Sequence, residues 1–218
     1  MKNLVVAIDG PAGAGKSTVA QIVAQTLGYT YIDTGAMYRA VAWKTLQQDY
    51  PVTDMLIIDV VRDIHVDLYY KDGKTKVVVD GQDVSRLIRT PEVTKIVSQV
   101  ARLAPVREKM VDLQRQMAER GAIVMDGRDI ATNVLPKADV KIFLTASIEE
   151  RANRRWTEMR KKGYDVDLKK LQIDIAARDK ADSEREISPL VQDVDAVLLD
   201  TTGIDVNTVV EFILKRCR

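Results

Sequence analysis

The sequence has one cysteine, Cys217, and one histidine, His65. A single cysteine excludes an internal disulfide, and no Cys-rich spacing exists for a structural metal site, so a reducing cytoplasm is the expected setting. No apolar run approaches the ~18 residues that a membrane span needs. The run Leu4-Val5-Val6-Ala7-Ile8 is too short for a secretory signal, and a glycine loop follows it at once. An excess of one charge is also missing: 33 basic side chains face 32 acidic ones, a net charge of +1. That excludes the basic footprint of a nucleic-acid binder. What remains is an ordinary folded composition, 46% hydrophobic and 30% charged over 218 residues, which suits one α/β domain with small appended elements.

Periodicity supplies the order of elements. Leu4–Ile8 is continuously apolar and β-branched, as in a strand buried on both faces of a parallel sheet. Val19, Ile22, Val23 and Leu27 then follow helical spacing, with Gly28 as a stop. Tyr31-Ile32 reads as a short strand, and residues 35–48 as a helix. Between about Asp63 and Arg89 the pattern changes to alternation. Ile64, Val66 and Leu68 are interleaved with polar residues, and Lys71-Asp72-Gly73-Lys74 and Asp80-Gly81 supply turns. Asp-Gly between β-rich runs predicts hairpins, hence a small antiparallel insert.

Thr90 with Pro91 predicts a helix start, and Pro105 another. Ile123–Met125, Val140–Leu144 and Ala196–Leu199 read as further strands. Ser147-Ile148-Glu149-Glu150 fits a capping box opening a charged helix, and residues 206–216 a last helix. Strands alternating with helices predict a mostly parallel, doubly wound sheet.

The most specific signal is Gly10-Pro11-Ala12-Gly13-Ala14-Gly15-Lys16-Ser17, a full match to G-x-x-x-x-G-K-[ST] between a strand and a helix. Small residues let the backbone wrap phosphates with its N–H groups turned inward, and the helix adds its positive end. Lys16 is placed to reach the β- and γ-phosphates, and Ser17 to ligate Mg²⁺. A guanine switch would need Asn-Lys-x-Asp, and the nearest stretch, Pro136-Lys137-Ala138-Asp139, lacks the Asn. A motor ATPase would need more chain, although Ile123-Val124-Met125-Asp126 supplies a strand ending in a carboxylate that supports Mg²⁺ through water.

Arginines favour a kinase instead, because phosphoryl transfer needs fixed charge more than covalent chemistry. Arg39 lies one helical turn beyond a glycine at a strand end, and Arg128 in the turn Asp126-Gly127-Arg128-Asp129. Asp129 has two readings at this level. Its carboxylate suits the N4 amino group of cytosine, where uracil would present an oxygen, or it caps its turn or pairs with Arg128. His65, Cys217, Trp43, Trp156 and Tyr69-Tyr70 are assigned structural roles.

Together these segments closely resemble the bacterial cytidylate (CMP) kinase family of nucleoside monophosphate kinases. The resemblance rests on Ile8–Thr18, Asp33–Arg39, Ser98-Gln99-Val100-Ala101, Asp126–Asp129 and Arg178–Leu190, and it covers the whole length. It implies a P-loop kinase fold of one domain, residues 1–218, with the insert 63–89 inside a monophosphate-binding region of about 34–107. A helical lid of about 149–167 closes over ATP through Arg151 and Arg155.

The resemblance also implies site residues. Residues 10–18, from Gly10 to Thr18, bind ATP. Thr34, Arg39, Arg128 and Arg185 hold the acceptor phosphate. Ser98, Arg107 and Asp129 contact cytosine, and Arg178 and Asp182 lie near the sugar and phosphate. Lys16, Arg128, Arg155 and Arg185 are the implied catalytic cations, with Mg²⁺ as cofactor. ATP and CMP, with dCMP beside it, are the implied partners. No nucleic acid or membrane partner is expected, and a monomer is the default. Another P-loop small-molecule kinase, with an acceptor such as UMP, is the alternative.

Overall fold

The computed structural model describes residues 3–71, 73–161 and 163–217. Asp72 of the hairpin turn and Lys162 near the end of the charged helix lie outside the described residues. Five parallel strands form the main sheet: β1 (Val5–Asp9), β2 (Thr30–Asp33), β6 (Ile123–Gly127), β7 (Val140–Thr145) and β8 (Val197–Asp200). Their spatial order is β2-β6-β1-β7-β8. The chain therefore leaves β1 in both directions across the sheet, and a crevice opens at the carboxyl end of β1, where ligands bind in such sheets.

The two faces of β1 go to different cores. Val6 and Ile8 pack with Val19 and Val23 of α1 (Lys16–Leu27) and with Val209 and Ile213 of α8 (Val206–Arg216). Ala7 faces the other way, toward Val111 of α5 (Ala104–Ala118) and Met125. Burial on both faces is why the strand is apolar at every position until Asp9.

A third core lies beside the sheet. It joins α2 (Thr34–Leu46), α3 (Asp54–Asp63), α4 (Pro91–Arg102) and α5 to an antiparallel sheet of β3 (Val66–Lys71), β4 (Lys74–Val79) and β5 (Gln82–Asp83). The alternation seen in the sequence is real: Val77 and Val79 are buried while Lys76 is exposed. Tyr70 of β3 meets Tyr31 of β2 edge to face, with centroids 5.8 Å apart, so the hairpin also leans on the main sheet.

One element lies outside the sequence pattern, and one expectation is corrected. Helix α3 was not read from the sequence, and it is capped by Thr53, whose hydroxyl accepts from Leu56 N. The capping box at Ser147 is only half formed. Ser147 Oγ accepts from Glu150 N at 3.1 Å, but the Ser147 amide donates to Thr202 Oγ1, and Glu150 holds Arg154 instead. The neighbouring β8–α8 loop offers the closer acceptor. The charged helix α6 (Ile148–Lys161) is followed by α7 (Leu168–Ser183), which packs against it. No described helix is long and apolar enough to cross a membrane.

Candidate active site

The glycine loop runs from β1 into α1 and is shaped by close approach. Gly10 has φ +143°, and a Cβ there would stand 1.9 Å from the Leu144 carbonyl oxygen, so no other residue fits without moving β7. Lys16 is buried and donates from Nζ to the Pro11 carbonyl at 2.8 Å, folding back over the loop. Burial lowers its pKa, and the positive charge of Arg128 pushes the same way, so the site favours an arriving anion.

Beside the loop, Ser17 Oγ donates to Asp126 Oδ2 at 3.0 Å and Tyr31 Oη to Asp126 Oδ1 at 2.6 Å. Asp126 lies one residue before the end of β6, next to β1, which explains how residues 109 positions apart meet. Burial, with Asp33 nearby, raises its pKa. Thr34 Oγ1 donates to the Asp126 carbonyl at 2.7 Å. Between them, Gly127 leaves no room: a Cβ would lie 2.6 Å from Ile130 Cδ1 and 2.7 Å from Thr34 Oγ1.

Beyond Gly127 two charge groups form. Arg128 Nε donates to Asp182 Oδ2 at 2.8 Å, with Arg178 Nε 4.0 Å from the same oxygen. Arg178 and Arg39 are both lowered to about 10, in each case by burial first, then by neighbouring arginines. Arg39 Nη1 also donates to Thr94 Oγ1 at 2.8 Å. Lys16 feels both Arg128 and Arg178, and Arg39 feels Arg178 and Arg155. These cations therefore share one crevice at the sheet edge.

The second group is centred on Asp129, which pairs with Arg107, both buried, while Arg185 Nη2 lies 3.5 Å from its other oxygen. Asn133 Nδ2 donates to it at 3.0 Å. Asp129 thus pairs with Arg107 and Arg185 rather than with Arg128. Arg185 Nε also donates to the Ser188 carbonyl. Arg185 thus lies at the Asp129 end, and it shares with Arg128 and Arg178 the neighbouring carboxylate of Asp182. Ser98 is half-buried on α4, which touches α7.

Arg151 and Arg155 differ in placement. Arg151 is buried and donates to the carbonyls of Ala12 (3.0 Å) and Ala146 (2.9 Å) and to Asp179 (2.6 Å). It frames the glycine loop from behind and is not a free arm. Arg155 is half-exposed, with Glu158 at 3.1 Å. Of the residues not singled out in the sequence, Tyr31 and Asp9 touch the site most directly. Asp9 is legible only as a charged residue ending an apolar strand, a position where burial demands partners.

The family model described as Cytidylate kinase matches residues 6–218. The chain belongs to the cytidylate kinase family. A curated relative named Cytidylate kinase, from Desulfitobacterium hafniense (strain Y51), is 51% identical over 98% of this chain and 92% of its own length. Another of that name, from Bacillus cereus (strain ATCC 10987 / NRS 248), is also 51% identical, over 98% of this chain and 96% of its own. Among solved structures, an uncharacterized protein from Eubacterium ventriosum ATCC 27560 superposes with a TM-score of 0.54 at 13% identity, covering 98% of this chain and 97% of that one. At that identity it supports the fold alone. Membership of the cytidylate kinase family makes the protein a P-loop kinase acting by ATP-dependent phosphoryl transfer.

Proposed function

We propose that the chain transfers the γ-phosphoryl group of ATP to CMP, and to dCMP, giving ADP and the diphosphate. The observation that carries this reading is the crevice at the end of β1. Burial together with the charges of Arg128 and Arg178 lowers Lys16, Arg178 acts likewise on Arg39, and Arg128 on Arg178, while Asp182 takes ion pairs from Arg128 and Arg178. Such an excess of fixed positive charge is costly unless anions arrive, and two nucleotides meeting phosphate to phosphate supply them.

In this reading residues 10–18 cradle the ATP phosphates, with Lys16 released from the Pro11 carbonyl to meet them. Arg128, Arg39 and Arg178 face the acceptor phosphate. The Thr34 proton is already engaged by the Asp126 carbonyl, so Thr34 contributes chiefly by fixing the start of α2. Arg107 and Asp129 read the base, with Ser98 beside them. Asp129 accepts from the cytosine N4 amino group, and uracil would put an oxygen against that carboxylate. Arg185 holds Asp129 in place from the phosphate side. Arg155, at the rim, is the arginine positioned to close over ATP, while Arg151 keeps the loop in shape. No protein base is needed, because a monophosphate oxygen is already an anionic nucleophile.

Among the described residues no group of three or more His, Cys, Asp and Glu side chains forms a metal cage. The fit to Mg²⁺ is of another kind. Ser17 Oγ and Asp126, 3.0 Å apart, offer hard oxygen donors beside the loop, and Mg²⁺ commonly takes one or two such ligands plus phosphates and water. Ser17 would ligate it directly and Asp126 through water. When bound, it would neutralise charge on the β- and γ-phosphates.

The test is ADP release from ATP with CMP, dCMP, UMP, AMP or shikimate as separate acceptors. CMP and dCMP should exceed UMP by roughly tenfold or more, the factor that ~1–3 kcal/mol of unpaired polar groups yields. ADP release without acceptor should be slower still, since closure excludes water. Equal rates with CMP and UMP, or with and without acceptor, would refute the reading.

A further inference from the structure

Asp9, the last residue of β1, is 2% exposed and has no part in the chemistry outlined above. Both of its oxygens are used. Oδ1 accepts from Ile130 N and Oδ2 from Ala131 N, each at 2.8 Å. Those amides open the short turn of helix over Ile130–Val134, immediately after Asp129. The carbonyl of Asp129 in turn accepts from Asn133 N (3.0 Å) and Val134 N (3.1 Å), so residues 129–134 form one closed unit. The main chain of Asp9 leads straight into Gly10, where a Cβ would stand 1.9 Å from the Leu144 carbonyl oxygen. One residue therefore joins two parts of the crevice: its backbone carries the glycine loop, and its side chain carries the segment that holds Arg128 and Asp129.

We propose that Asp9 is a positioning residue that fixes the height of Arg128 and Asp129 over the phosphate loop, and through them the choice among pyrimidine monophosphates. The inference rests on the kinase reading given above. Two divergent N–H groups need two acceptor oxygens on one side chain. Asparagine would turn its NH₂ toward one of them, and serine brings a single oxygen. Burial raises the Asp9 pKa to about 6, so its charge is kept at a cost. A fold needing only a cap on that turn would be served by a neutral residue. The carboxylate is what holds both amides at once.

The experiment compares Asp9→Asn with the unaltered enzyme in steady-state kinetics with ATP and either CMP or UMP. KM for CMP should rise and kcat/KM fall by roughly tenfold to a hundredfold, the loss that a displacement near 1 Å produces. The CMP-to-UMP ratio of kcat/KM should narrow, while KM for ATP stays within about twofold. In an Asp129→Asn background the effect of Asp9→Asn on that ratio should vanish, because the two act through one segment.

Equal losses for ATP and CMP with an unchanged CMP-to-UMP ratio would overturn the proposal, since Asp9 would then only brace the strand. Asp9→Ser is the second variant should the amide fail to fold, and failure of both to fold would likewise make the role purely structural and overturn it. An unaltered enzyme that phosphorylates neither CMP nor UMP would bring down the kinase reading itself, and this inference with it.

Discussion

At the scale of single residues, pH separates two buried carboxylates at the carboxyl end of the main sheet from those at the surface. Asp9 ends β1 and Asp126 is the penultimate residue of the adjacent β6, and burial raises both. For Asp9 the shift is from 3.8 to about 6, with Asp129 adding to it and the two backbone amides and Lys16 opposing it. The folded state therefore holds a proton that the unfolded state releases between pH ~4 and ~6. Stability from this residue is present below pH ~4 and is lost as pH rises through 6, at a cost of about 3 kcal/mol for a shift near 2 units. Replacing Asp9 with Asn removes that titration. The melting temperature of Asp9→Asn minus that of the parent should thus climb as pH goes from 4 to 7, and a flat difference in thermal melts would contradict the burial argument. Exposed carboxylates such as Asp83 and Asp200 move in the opposite direction in both proteins, held down by their serine and threonine neighbours, and cancel from the difference. Residue-level legibility followed sequence contiguity. Lys16, Ser17 and Arg128 could be named because each sits in a short motif with its own logic. Asp9 could not, because the amides that give it meaning are 121 and 122 positions away. The ion-pair partners of Asp129 were not legible for the same reason: Arg128 is adjacent in sequence, but Arg107 and Arg185 are adjacent in space.

At the scale of elements, the hairpin β3–β5 is bound into the helical core and is no loose appendage. Val66, Val77, Val79, Val84 and Ile88 share one cluster with Met37, Val41, Val61 and Met110. Val79 is 1% exposed, so Val79→Ala should cost about 2 kcal/mol, near the transfer value of a buried valine plus the void it leaves. Urea unfolding followed by tryptophan fluorescence should show the whole transition shifted, because Trp43 of α2 lies in the same cluster. A separate early phase for the hairpin would mean that it folds alone. The elements that sequence patterns exposed were those with strong punctuation. Thr90-Pro91 opens α4, with Thr90 Oγ1 accepting from Val93 N at 3.4 Å, and β1 was evident as an unbroken apolar run. Helix α3 escaped because only Ile57 and Val61 of its ten residues are buried. Met55, Leu56, Ile58 and Val60 are apolar as well, so the two buried positions do not stand out in the sequence as a helical period. At Ser147 the local pattern was right about the cap and wrong about its reciprocal half, since the Ser147 amide goes to a tertiary acceptor, Thr202, while Glu150 is taken by Arg154.

At the scale of the whole molecule, near-neutrality conceals a sharp internal separation of charge. The chain carries a net +1, yet Lys16, Arg39, Arg128 and Arg178 crowd one crevice. Nucleotide capture should therefore respond to salt much more than stability does. Raising ionic strength from about 0.05 to about 0.5 M should increase KM for both ATP and CMP several-fold as screening shortens the reach of the crevice. The melting temperature should move little, because a net charge of +1 leaves little self-repulsion to screen. Salt-independent KM values with a salt-sensitive melting point would reverse the picture. The position of β1 in mid-sheet carries a last consequence, for the newborn chain. Its hydrogen-bonded neighbours are β6 and β7, which begin at Ile123 and Val140, and the brace behind the loop is Arg151. A ribosome that has delivered the first hundred residues has released every letter of the phosphate motif and none of the walls that give it shape. Competence to hold a nucleotide arrives late in synthesis, and all at once.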